Sequence, residues 1–232
     1  MGYDFWYWPG IPGRGEFVRI ALEAGGIAYK ERGRDSDADI MGQRNGYEHT
    51  PPYAPPWLDT GDLVIAQTTN ILLYLGEEHG LAPKDRKGRL WTNQLMLTIM
   101  DMVTEAHDTH HPVTAGADYE DQKQAALGAA DAFRADRMPK FFTHFQKALG
   151  DRPFFNGDKW SYADLGFFVL MRGLCHAFPK RMAAVEPDHV PLFAHRDRMA
   201  GLDALTAYLA SDRCLPFGNG LFRHYPELDA PD

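Results

Sequence analysis

The segment Glu105-Ala106-His107-Asp108-Thr109-His110-His111 carries the greatest density of chemically versatile side chains in the sequence. His107 and His111 stand four residues apart, so on a helix they share a face and could ligate a metal. Two imidazoles at one helix end do not by themselves define a coordination geometry. A polar wall of a cleft is the reading taken, no metal is expected, and the individual roles of His107, His110 and His111 stay open. Asp101, Glu105 and Asp108 also fall on one helical face, where a solvated acidic stripe is the plain alternative to any special role. Cys175 and Cys214 belong to no CxxC pair, which indicates neither a zinc site nor a dithiol redox centre.

The elements that must position these groups are legible from pattern. Residues 3–8 are dense in strand-favouring aromatics, with Tyr3, Phe5 and Tyr7 on one face. A turn rich in proline and glycine leads to a helix over 16–24, whose Phe17, Ile20, Ala21 and Ala24 repeat at helical spacing and which stops at Gly25-Gly26. A second short strand over 27–32 must then run parallel to the first in a right-handed crossover. The stretch 35–50 is polar and without clear periodicity. Beyond Pro51-Pro52 and Pro55-Pro56, two brief strands flank the Thr60-Gly61 turn, and Gln67 opens a helix carrying Ile71, Leu72 and Leu75 that ends near Gly80.

After residue 84 no strand pattern remains. Long helices are expected up to Pro112, over 119–149 and over 162–175, with shorter pieces between 190 and 209. Ser161-Tyr162-Ala163-Asp164 has the spacing of a reciprocal N-terminal cap. The phenylalanines at 141, 142, 145, 167 and 168 read as core. The expected architecture is a βαβ-ββα domain over 1–84 followed by an all-α domain over 85–232.

Bulk properties exclude several partners. The 32 acidic against 24 basic side chains give a formal charge of -8, which repels phosphate backbones and anionic bilayers, so no nucleic acid or membrane partner is expected. The N-terminus lacks the basic flank and apolar run of a secretory signal, and no window approaches the roughly 20 apolar residues of a span. A cytoplasmic location is the expectation.

The order of these elements, with Tyr7-Trp8, Arg14-Gly15-Glu16, Arg19, Pro55-Pro56-Trp57-Leu58, Gln67-Thr68 and the Ser161–Asp164 cap, resembles the glutathione transferases over nearly the whole chain. The likeness is to tyrosine-type members, similar to sigma, mu and pi-like bacterial proteins. It implies a thioredoxin-like first domain that binds glutathione as co-substrate, and a helical second domain that contributes the site of a small hydrophobic electrophile. By that resemblance Tyr7 donates its hydroxyl hydrogen to the glutathione sulfur. A free thiol with a pKa of about 8.5 is mostly protonated at neutral pH, and the thiolate is the nucleophile.

The resemblance further implies that Trp8 lies beside glutathione and that Pro56 is the cis-proline whose preceding residue pairs with the cysteinyl backbone. Gln67 and Thr68 would hold the γ-glutamyl end, and Asp101 would reach the γ-glutamyl ammonium bound to the neighbouring subunit of a homodimer. Arg14, Met102 and His107 are the expected electrophile-side residues. This chain departs from the pattern in two places. The turn after Tyr7 is one residue longer than in common tyrosine classes, and Pro55 has no N–H to contribute to the pairing. The second departure motivates an alternative reading, a non-catalytic binding protein on the same fold.

Overall fold

A computed structural model of the chain describes residues 2–34 and 39–231. The first part contains β1 (Tyr3–Trp6), α1 (Gly15–Ala24), β2 (Tyr29–Glu31), α2 (Ile40–Asn45), β3 (Trp57–Asp59), β4 (Val64–Ala66) and α3 (Thr68–His79). The sheet order is β2-β1-β3-β4, with β1 and β2 parallel and the other pairings antiparallel. The crossover and the hairpin thus both form as the periodicity predicts. Phe5 of β1, opposite Leu58 of β3, is fully buried. Helix α2 was not legible in the polar 35–50 stretch. Its local support is the Asp39 side chain, which accepts from the Gly42 N–H at 2.7 Å, and of its residues only Ile40 is buried. Residues 35–38 of that stretch lie outside the described residues.

The helical part comprises α4 (Arg86–Asp108), α5 (Tyr119–Ala132), α6 (Met138–Leu149), α7 (Tyr162–Ala177), α8 (Pro179–Val185), α9 (Val190–Ala200) and α10 (Asp203–Leu209). The single helix expected over 119–149 is interrupted by a π-helical turn, Phe133–Arg137. Pro139 explains the break: it offers no N–H to the carbonyl four residues back, and its ring crowds that carbonyl, so the chain widens just before it. The whole assembly is a thioredoxin-like sheet domain followed by a helical domain, as expected.

Helix α7 is the axis of the second domain, and its start is set by the Ser161 cap. The Ser161 N–H and Oγ both donate to Asp164 Oδ2 at 2.8 Å. Asp164 Oδ1 in turn accepts from the Phe155 N–H and from His195 Nε2, each at 2.9 Å. Asp164 and His195 have no exposed surface, so one carboxylate ties α7, the preceding loop and α9 together. The two domains meet where Tyr162 packs against Gly76 of α3. A Cβ at Gly76 would stand 2.8 Å from the Tyr162 ring, so the close approach of the elements requires glycine there.

Candidate functional site

Tyr7 follows the last residue of β1 and is 5 % exposed, its ring beneath the turn into α1. Its hydroxyl oxygen accepts the Arg14 backbone N–H at 2.8 Å. A hydroxyl has one hydrogen to give, and accepting a bond polarises it, so the Tyr7 proton is available to a ligand and is a better donor for being held this way. Burial raises its pKa above the ordinary tyrosine value, opposed by the N–H groups of Arg14 and Gly15. The group is therefore a phenol, not a phenolate, at neutral pH. In this turn Gly13 has φ +45°, and a Cβ there would lie 2.1 Å from the Tyr7 hydroxyl. This is a position where backbone and hydroxyl touch with no room for a side chain.

Beside this turn a cavity of about 520 Å³ opens between α3 and α4, lined by Arg14, Gln67, Thr68, Asn70, Met100 and Thr104 among others. Gln67 caps α3 with φ 70°, the only non-glycine residue of positive φ among those described. Its strained backbone turns the Gln67 side chain outward, and Thr68, 4 % exposed, becomes the first helical residue. Cavity, exposed amide, hydroxyl and helix N-terminus thus adjoin one another, a combination whose chemistry suits a carboxylate. Pro55 and Pro56 are buried at the start of β3, and the bond between them is cis. Trp8 is an exposed side chain and is not among the residues that line the cavity.

Arg14, expected on the electrophile side, lines the cavity and is not paired with its neighbour Glu16. Glu16 is buried and accepts instead from Arg19 at 2.7 Å and from the Tyr208 hydroxyl at 2.9 Å. Arg19 also bonds Glu31, so α1, β2 and α10 are joined through charges that the sequence separates widely. Met102, expected beside the electrophile, lies wholly in the core. On α4 a shift of two residues is about 200° of rotation, and it is Met100 that reaches the cavity. Met100, Thr104 and Leu97 were readable only as the helix face complementary to the buried Leu95, Ile99 and Met102. Asp101 is exposed on the same helix, while Glu105 is engaged by Arg137 at 2.7 Å.

His107 is half-buried at the end of α4, and His110 and His111 are buried in the turn that follows. Burial, with Arg14 and Arg223 nearby, lowers the pKa of His107. Burial and the other two imidazoles push His110 down to about 3. His110 Nε2 donates to the Gly220 carbonyl at 3.3 Å, and a Cβ at Gly220 would stand 3.9 Å from the Gly13 Cα and from the Ile11 Cβ. The C-terminal segment thus closes over the turn that holds Tyr7, a contact no local pattern announces.

Residues 107–212 match the family described as "Glutathione S-transferase, C-terminal domain". The chain is 28% identical to glutathione S-transferase Mu 1 of Macaca fascicularis over 90% of this chain and 91% of that one. It is 27% identical to human glutathione S-transferase Mu 4 over 93% and 94%. Among solved structures, a Pi-class glutathione S-transferase of Onchocerca volvulus superposes with a TM-score of 0.70, at 20% identity, over 90% of this chain and 92% of that one. In sequence and in fold, the chain is similar to glutathione S-transferases along nearly its whole length.

Proposed function

We propose that this protein is a glutathione transferase in which the Tyr7 hydroxyl donates to the glutathione sulfur and holds it as a thiolate for attack on a small hydrophobic electrophile. The observation that carries this reading is the buried Tyr7 hydroxyl, anchored with its own proton unspent by the backbone N–H of Arg14, itself one of the residues lining the cavity. Gln67 and the Thr68 N-terminus would take the γ-glutamyl carboxylate, and Trp8 would flank the tripeptide. The Pro55 carbonyl would accept from the cysteinyl N–H, with Pro56 setting its direction. The division of labour is between residues 1–84 for glutathione and 85–232 for the electrophile, which would approach over Arg14 and His107.

The proposed assembly is a homodimer. Tyr53, Leu90 and Leu97 are strongly exposed apolar side chains, 86%, 59% and 50%, and a second copy would cover those on the α4 face while bringing Asp101 to the partner's γ-glutamyl ammonium. No described helix is long and apolar enough to cross a membrane, and a cytoplasmic detoxification role is part of the proposal.

The first test is calorimetric binding of glutathione together with turnover of an activated aryl halide. Saturable binding and turnover are expected; binding without turnover on a panel of electrophiles would replace this reading with a binding protein on the same fold. Two substitutions refine it. Gly13→Ala should displace the Tyr7 hydroxyl and lower kcat/KM by about ten-fold, since ångström-scale misplacement of a catalytic group costs at least that much. Pro55→Val restores a backbone N–H facing the cysteinyl carbonyl. One neutral hydrogen bond is worth about 1 kcal/mol, so the Kd for glutathione should tighten about five-fold, and an unchanged Kd would show that the tripeptide does not pair there.

A further inference from the structure

The three histidines at the end of α4 are not used by the thiol chemistry, and their arrangement has a chemistry of its own. We propose that His107, His110 and His111 form a site for one first-row divalent transition metal ion, with zinc the ion that suits three imidazoles best. One ligand nitrogen from each residue lies within 4.8 Å of the other two. The ring centres form a nearly equilateral triangle with sides of 5.1, 5.2 and 4.8 Å. Three imidazoles capping a single ion at about 2.0–2.1 Å place their ring centres about 5 Å apart. The spacing of the rings thus fits a capped ion, and on binding it the nitrogens would close from within 4.8 Å of one another to about 3.4 Å.

The outer hydrogen bonds prepare two of the ligands. Asp108 Oδ1 lies 3.2 Å from His107 Nδ1, and a carboxylate there accepts the Nδ1 proton and leaves Nε2 with its lone pair. The Gly220 carbonyl likewise takes the Nε2 proton of His110 at 3.3 Å and leaves Nδ1 free. His111 differs. Its Nδ1 is 3.1 Å from Gln122 Nε2, and the orientation of that amide is set by its other bonds. Gln122 Oε1 accepts the Val113 N–H, so Nε2 faces His111, and its two hydrogens are shared among His111 Nδ1 and the carbonyls of Thr114 and Ala117. His111 consequently accepts at Nδ1 and carries its proton on Nε2. It can join the ion only by shifting that proton or surrendering the Gln122 bond, which makes it the weakest of the three ligands.

The charges around the cluster are mixed. Asp108 and Asp118 favour a cation, while Arg223 and Arg14 oppose it. His107, the half-buried member, is the point of entry, since His110 and His111 are covered. A bound ion would fasten the end of α4 to the segment around Gly220, which rests on the Gly13 turn.

The experiment uses the full chain without an affinity tag, stripped by chelator and held free of glutathione. Zinc is titrated by calorimetry, and cobalt(II) by its visible d–d bands, which are intense at low coordination number. One equivalent of each is expected, with a Kd below about 10 μM and a higher unfolding midpoint in the presence of zinc. His107→Ala and His110→Gln should each weaken binding by more than the roughly 10- to 100-fold that loss of an outer partner costs, and His111→Gln by less. Absence of saturable binding, or binding unchanged in His107→Ala, overturns the site. His107→Ala removes a half-exposed ring and so keeps the test decisive even where a buried variant fails to fold.

Discussion

Tyr7→Phe is expected to raise the pKa of bound glutathione by about two units, back toward the solution value of about 8.5. The measurement is thiolate ultraviolet absorbance of the complex against pH, in wild type and variant. Two units correspond to about 2.7 kcal/mol of preference for the charged sulfur, a magnitude that one charge-assisted hydrogen bond from a buried hydroxyl supplies. The sign follows from the state of Tyr7 itself. Because burial keeps its pKa above the usual tyrosine value, it remains a proton donor throughout the range in which the thiol ionises. The loss in kcat/KM should be about 100-fold below pH 6, where both thiols are largely protonated, and should shrink above pH 9, where the unassisted thiol ionises unaided. A variant that binds glutathione with an unchanged thiol pKa would remove Tyr7 from the mechanism while leaving the ligand in place.

The second large effect concerns stability. Asp164→Ala is expected to cost about 4 kcal/mol, seen as a lower urea midpoint, because the deletion strands the Phe155 N–H, the Ser161 N–H and the His195 Nε2–H in a region without solvent. Against a typical total stability of about 5–15 kcal/mol, that is a large share of the folded state. Asp164→Asn keeps one acceptor and should fall between. A cost for Asp164→Ala below about 1 kcal/mol would mean that water or a rearranged loop replaces the carboxylate, and that it is not the junction of α7 with α9.

Much of the fold was legible because its determinants are local. Alternating aromatics near the N-terminus, Gly25-Gly26 after α1, the turn at Thr60-Gly61 and the Ser161 cap each act within a few residues, and the structure has each element there. The misses have equally physical causes. Pro139 perturbs a helix that periodicity alone would continue, and α2 buries too little apolar surface to print a pattern.

For the candidate site, the sequence by itself determined which chemical groups are present: a tyrosine after the first strand, a proline where an N–H is customary, a Gln-Thr pair opening α3 and three histidines within five residues. Only the tertiary structure decided which of them meet. It placed Met100 in the cavity and Met102 in the core, because the rotation of α4 is set by what packs on its other side. It brought Glu16 to Tyr208, Asp164 to His195, and Gly220 over the Gly13 turn. It also drew His110 and His111 back beside His107 by ending the helix at Asp108. Hydrogen bonds within a turn are encoded by neighbours in the chain, whereas contacts between distant elements are selected by close packing of the whole, and no short window of sequence contains that information.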